Sequence, residues 1–294
     1  MKQVEVTGTL RTQWVECITD ILNFYIQFCN KHKLRYFVAY GTAIGAARHH
    51  GIIPWDDDID VVMPRPDFEK FKQLCQTEDL GKYELISPFN TPNYYLPFYK
   101  LCNKETTLLE KDEYRCIIGM FIDIFVYDGM VNDKTQFLKL QKKYTKYWNR
   151  LTLVSTYYKK ETIINKLKSG RFKDMLHYFL INLNRKQLRR FYLKKLQDVV
   201  NTYNYDEQQF ITKYPPGYGD KELIPKSWIE ESTLLPYDGL QVAIPKNYTR
   251  WLNNYFDDYT QLPPIEQRHT QHSIAYVNFK QRETIDEVLR KVTS

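Results

Sequence analysis

The sequence predicts an α+β fold, and three observations carry that prediction. Apolar residues recur at helical spacing near the start of the chain and again through its middle. Between those stretches they alternate or run continuously, as strands do. The last third is rich in Gly, Pro, Asn and Asp turn chemistry around short apolar runs.

In chain order, residues 10–33 place Trp14, Ile18, Ile21, Leu22, Tyr25, Ile26 and Cys29 on one stripe, which predicts a helix buried along one side. Tyr36 to Tyr40 reads as a short strand, Gly41-Thr42 as a tight exit, Thr42 to His50 as a short helix, and Asp57 to Met63 as a second strand. Side chains alternate along a strand, so Asp56, Asp58 and Asp60 share one face while Asp57, Ile59 and Val61 point the other way. By this geometry Asp57 drops out of any site built on the row. A row of carboxylates repels itself unless a cation or a wet cleft neutralises it, and hard oxygen donors suit Mg²⁺ or Mn²⁺.

After Pro64 and Pro66, Asp67 is placed to cap a helix whose Phe68, Phe71, Leu74 and Cys75 share one face. Tyr83–Ile86, Tyr94–Leu101 and Ile117–Tyr127 read as strands, the last apolar enough for the middle of a sheet. Asp123 interrupts that run within FIDIF, and a buried carboxylate there needs a cation, a donor or a metal beside it. From about Asn132 to Asn201 the pattern is helical and rich in Lys, Tyr and Leu. LPYDGLQVAIPKNY then reads as a hairpin. With no internal repeat and no low-complexity linker, the expected division is a core over 1–131, a basic helical insertion over 132–204, and a segment over 205–294 that completes the core and its site.

Charge divides along the same lines. The net charge is +7, yet residues 134–195 hold eighteen Lys or Arg against Glu161 and Asp174, a balance of +16 that leaves −9 for the remainder. This bias exceeds what solubility requires and suggests peripheral contact with an anionic membrane surface or anionic polymer. No run approaches the roughly 20 apolar residues that span a bilayer, and the N-terminus begins polar and charged, so a cytoplasmic protein, at most peripheral at the inner membrane face, is expected. Five cysteines, odd in number and without a CxxC pair, suggest neither a disulfide framework nor a zinc knuckle. The retained acidic row argues against a nucleic-acid partner. Tyrosine is abundant, with 24 copies including Tyr94, Tyr95 and Tyr99, which permits an aromatic cage for a quaternary ammonium group without locating one.

The stretch GTAIGAARHHGIIPWDDDIDVVMPR, together with KLCNKETTLL, FIDIF, GLQVAIPKNY and LPPIEQRHTQH, resembles the LicD family of phosphotransferases, related to the fukutin-type enzymes. The resemblance covers both flanks of the chain and skips the basic middle. It implies a core like the DNA polymerase beta-type nucleotidyltransferases, a small mixed sheet flanked by helices. Carried over residue by residue, it makes Asp58 and Asp60 paired ligands of Mg²⁺ or Mn²⁺, Asp123 the third carboxylate, and Asp56 a candidate outer ligand. It assigns Gly41 and Thr42 to the substrate turn, Arg48 and Lys100 to the diphosphate, and Arg268 and His272 to the C-terminal substrate-binding pattern. The chain departs from the family where YFDDY, Tyr255 to Tyr259, stands for the more usual YGDYM.

The implied reaction is transfer of a phospho-alcohol from a CDP-alcohol, CDP-choline first, to a hydroxyl of a cell-surface glycan or its lipid-linked precursor, with CMP released. Two alternatives stay open. One is a CTP-dependent nucleotidyltransferase acting on a phosphorylated alcohol or sugar, and the other is a non-catalytic polyanion- or glycan-binding protein.

Overall fold

A computed structural model describes residues 4–158, 160–270 and 272–293, with only the backbone of Lys160, Glu161 and Thr293. Gln271 of the C-terminal motif lies outside the described residues. Helix α1 (Gly8–His32) buries the predicted stripe and adds Phe28. Strand β1 (Phe37–Val38) is only two residues long. Helix α2 (Tyr40–Ile44) runs into a π-helical turn over Gly45–His49, so the single short helix predicted there is two pieces. Strand β2 (Asp60–Pro64) starts later than Asp57, because residues 56–59 have no ladder partner.

Helix α3 (Arg65–Thr77) follows, then β3 (Tyr83–Ile86), β4 (Tyr99–Leu109) and β5 (Ile118–Met130). The strand expected from Tyr94 begins instead at Tyr99. Ahead of it the chain turns at Ser87–Thr91, held by Asn90, and buries Tyr94 and Tyr95 as packing residues. Helices α4 (Lys134–Ser155), α5 (Lys160–Lys168) and α6 (Phe172–Val200) form the basic middle, and Asp133 caps α4 by accepting from the Thr135 and Gln136 amides. Strands β6 (Phe210–Lys213) and β7 (Ile224–Pro225) precede the hairpin of β8 (Ser232–Tyr237) and β9 (Leu240–Pro245), which turns at Asp238-Gly239. Helix α7 (Tyr248–Phe256), strand β10 (Tyr276–Asn278) and helix α8 (Ile285–Thr293) end the described chain.

The fold is α+β. Its larger sheet runs β1-β2-β5-β4-β10, with β3 also on β4, β6 on β5 and β7 on β6. It is mixed because β2 and β5 pair in parallel while the other pairs are antiparallel. At eight strands among the described residues it is larger than the small sheet expected. Every residue of β5 is buried, which is why its sequence is almost continuously apolar. One hydrophobic cluster joins α1, α3, the sheet, the hairpin and α7. A second gathers Phe137, Leu140, Tyr144 and Leu151 of α4 with Leu193, Leu196 and Val199 of α6. No helix among the described residues is long and apolar enough to cross a membrane.

Candidate active site

The parallel pairing of β2 with β5 sets Asp60 directly beside Asp123, and the antiparallel pairing of β5 with β4 sets Lys100 beside Asp123 on its other side. Three strands thus present a carboxylate, a carboxylate and an ammonium in one cross-strand row. Asp58, two residues before Asp60, completes an oxygen cluster in which one ligand atom from each of Asp58, Asp60 and Asp123 lies within 4.8 Å of the other two. The loop carrying Asp56 and Asp57 is pinned from α1: Arg11 donates to the Asp56 and Ile53 carbonyls at 2.7 and 3.2 Å, and the Trp14 indole to the Asp57 carbonyl at 2.7 Å.

Electrostatics mark this cluster as frustrated on its own. Burial, then the charges of Asp58 and Asp123, push the Asp60 carboxyl well above the usual range, and Lys213 only partly offsets them. Burial and Asp58 push Asp56 up to about 8. Asp123 is pushed up to about 6 by burial, with Lys100 acting in the opposite sense. A protein gains nothing in stability by crowding carboxylates in this way, and a hard divalent cation would relieve them all.

The residues expected at the site divide by what they touch. Gly41 lines the cavity beside the carboxylates, and a Cβ there would meet Asp56 Oδ2 at 2.5 Å, so the bare backbone is what lets Asp56 approach. The Thr42 hydroxyl accepts the Asp60 amide at 2.8 Å and so fixes the start of β2. Arg48 lines the same cavity, with Nη1 donating to the carbonyls of Tyr259 and Gln261 at 2.7 and 2.8 Å; it ties the π turn to the C-terminal loop. Lys100 does not reach the cavity. It is 1 % exposed, donates to Asp123 at 2.7 Å, and lies over the Phe121 ring. Burial disfavours its charge, yet Asp123 and Glu110 hold the ammonium above its usual range, as a buried counter-ion. Arg268 sits behind Trp55, stacking on its indole and donating Nε to the Pro263 carbonyl at 2.8 Å.

His272 joins the cluster from the C-terminal segment. Its Nδ1 lies 2.8 Å from Asp57 Oδ1 and its Nε2 3.6 Å from Asp58 Oδ2, and the hydrogen bond to Asp57, helped by the charge of Asp58, lifts it to about 10. Asp57 is therefore not the bystander that strand alternation implies. It is buried and absent from the cavity wall, but it holds a histidine that is part of that wall.

The cavity encloses about 600 Å³. Asp56, Asp58 and Asp60 face it, and it is also lined by Tyr218, Phe256 and Tyr259 with Asp258 between the last two in sequence. None of these four was expected from the sequence, although YFDDY stands where the family pattern is broken. Lys213 was also missed. Its ammonium sits 4.4 Å from the centres of the Tyr40 and Phe125 rings and 3.6 Å from Glu222. A single lysine in a turn-rich stretch carries no sequence signal for that position. A second cavity, of about 640 Å³, shares Trp55, His269 and His272 with the first and is lined on its far side by Arg11, Arg268 and residues 4–8.

A carboxylate cluster on neighbouring strands, with a buried lysine behind it and a polar-aromatic cavity in front, makes this the candidate active site. Residues 33–175 match the LicD/FKTN/FKRP nucleotidyltransferase domain, and the chain belongs to the LicD family. It is 29 % identical over 269 residues to the lipopolysaccharide cholinephosphotransferase LicD of Haemophilus influenzae, a match covering 90 % of this chain and 96 % of that protein. Uncharacterized proteins of Rickettsia typhi and Rickettsia prowazekii are each 39 % identical over 56 residues, 19 % of this chain and 18 % and 21 % of theirs.

Proposed function

We propose that this chain is a LicD-type phosphotransferase that moves phosphocholine from CDP-choline to a hydroxyl of a cell-surface glycan or its lipid-linked precursor, releasing CMP. The observation that carries this reading is one cavity lined both by the carboxylates Asp56, Asp58 and Asp60 and by the rings of Tyr218, Phe256 and Tyr259 with the Asp258 carboxylate. Aromatic faces and a carboxylate are what a quaternary ammonium group prefers, at roughly 0.5–2 kcal/mol per ring. The similarity to a cholinephosphotransferase over almost its whole length supports the same choice. The parallel β2–β5 pair with its aspartates in register supports a core of the DNA polymerase beta type, and the separate α4–α6 cluster supports reading 132–204 as an insertion into it.

Asp58, Asp60 and Asp123 fit a hard divalent ion, because three carboxylates converge where burial and mutual charge leave Asp60 and Asp123 uneasy. Bound there, Mg²⁺ or Mn²⁺ would supply charge neutralisation at phosphate oxygens. The chain's own residues do the rest. The acceptor oxygen bonds to the phosphorus bearing choline, the phosphoanhydride bond to CMP breaks, and the acceptor proton passes to a carboxylate. Asp56 is the candidate for that last role, because it lines the cavity beside Asp58 and burial with the Asp58 charge raises its proton affinity above the usual carboxylate range. Lys100 keeps Asp123 ionised, and Asp57 holds the His272 ring against Asp58.

Purified protein with Mg²⁺ and CDP-choline, CDP-ethanolamine or CDP-ribitol is expected to release CMP fastest from CDP-choline. Tyr218→Ala with Tyr259→Ala should lower kcat/KM for CDP-choline about tenfold or more and change CDP-ribitol turnover far less. Equal loss on all donors, or pyrophosphate release from CTP in place of CMP, would reject choline specificity or the reaction itself. Asp57→Asn is expected to cost about 10- to 100-fold in kcat, the usual toll of loosening a group that orients a site residue. His272→Gln in the same background should then add little, and full additivity of the two losses would argue against their acting as a pair.

A further inference from the structure

Helix α6 carries a feature that the active site does not use. Phe172, Leu176, Phe179, Leu180 and Leu183 are all exposed, Phe172 to 66 % and Leu183 to 63 %. At about 100° per residue these five fall within an arc of about 100°, so they form one continuous stripe about 16 Å long. Further along α6 the same line continues as Lys186 and Arg190, both exposed. Ile164 and Leu167 of the adjoining helix α5 are exposed as well. The other arginines of this stretch face inward. Arg185 donates to the Val154 and Thr156 carbonyls, and Arg189 to those of Pro88 and Tyr94.

The helix is thus anchored on one side, with apolar residues and then basic residues laid out along the other. Solvated helices seldom keep five large apolar side chains in a row facing water.

We infer that this face is a membrane-docking surface, in which the Phe172–Leu183 stripe enters the headgroup–acyl boundary while Lys186 and Arg190 engage anionic lipid headgroups. Charge chooses this occupant over a second copy of the chain. The segment from 134 to 195 carries +16 by sequence, so pairing two copies through it would bring like charges together, whereas an anionic bilayer complements it. The inference does not depend on which alcohol is transferred.

The test is sedimentation of the full chain with vesicles of phosphatidylcholine alone or mixed with phosphatidylglycerol. Binding is expected to the mixed vesicles only. Lys186→Gln with Arg190→Gln should weaken that partitioning about 30-fold. Phe172→Ser with Leu176→Ser and Leu183→Ser should weaken it at least about tenfold, and Leu234→Ser, an equally exposed leucine on β8, should leave it unchanged. Far-UV circular dichroism and CMP release from CDP-choline without acceptor should stay at wild-type levels in every variant, which separates this result from any failure of the catalytic reading. Equal binding to both vesicle types, undiminished binding by the stripe variant, or a stripe-dependent dimer in sedimentation velocity without vesicle binding would each overturn it.

Discussion

Asp60→Asn is expected to reduce transfer by about three orders of magnitude or more while raising, not lowering, the melting temperature of the metal-free protein. The first half follows from losing one of three converging carboxylates where charge must be stabilised during phosphoryl transfer. The second half follows from the cluster's own repulsion. Asp60 is pushed far up by burial and by Asp58 and Asp123, so it sits in the fold at a cost that a neutral amide of the same shape removes. Its amide remains bonded to the Thr42 hydroxyl, so the start of β2 is undisturbed. Initial-rate assays and calorimetric melting, each with and without Mg²⁺, give the two readings. A variant that is inactive because it melts earlier would contradict the assignment.

Lys100→Met should do the opposite and destabilise strongly, by about 3–5 kcal/mol, because it strands the buried Asp123 carboxylate without its counter-ion. Urea unfolding measures this directly. Adding Asp123→Leu to Lys100→Met is expected to restore most of the lost stability and none of the activity, since the stranded charge is then gone and the proposed metal ligand with it. If Lys100 served the substrate from the cavity instead, its removal would leave the unfolding midpoint unchanged and raise KM. The cavity wall does not include it, and the strand register puts it behind Asp123.

How far the sequence could be read is clearest from these same residues. Helix α1 and strand β5 were legible because their apolar periods are long and their faces are each buried against one thing, the other elements of the core. The start of β4 was not, because Tyr94 to Phe98 is apolar for packing reasons while its backbone turns. Alternation correctly separates Asp56, Asp58 and Asp60 from Asp57 at the cavity wall, but it says which way a side chain points and nothing of what waits there. The partner of Asp57 comes from 215 residues away, and no local period encodes a pairing of that range. The same holds for Lys100, which the resemblance assigns to the diphosphate: its place beside Asp123 follows only from the register of β4 on β5. Tyr218, Phe256 and Tyr259 belong to two separate segments and become neighbours of the carboxylates only through the tertiary fold.

The parallel register of β2 on β5 has a consequence for how the chain comes to be competent. Asp60 and Asp123 are 63 positions apart, so their pairing is a long-range contact that closes a loop holding α3, β3 and β4. The cluster therefore depends on β2 and β5 being paired, and no local element makes it. The α4–α6 pair is packed mostly from its own stretch of chain, with Met130 of β5 and Tyr214 added from outside it. A divalent ion held by Asp60 and Asp123, as proposed above, would therefore report on the pairing of β2 with β5 and be lost whenever that pair opens.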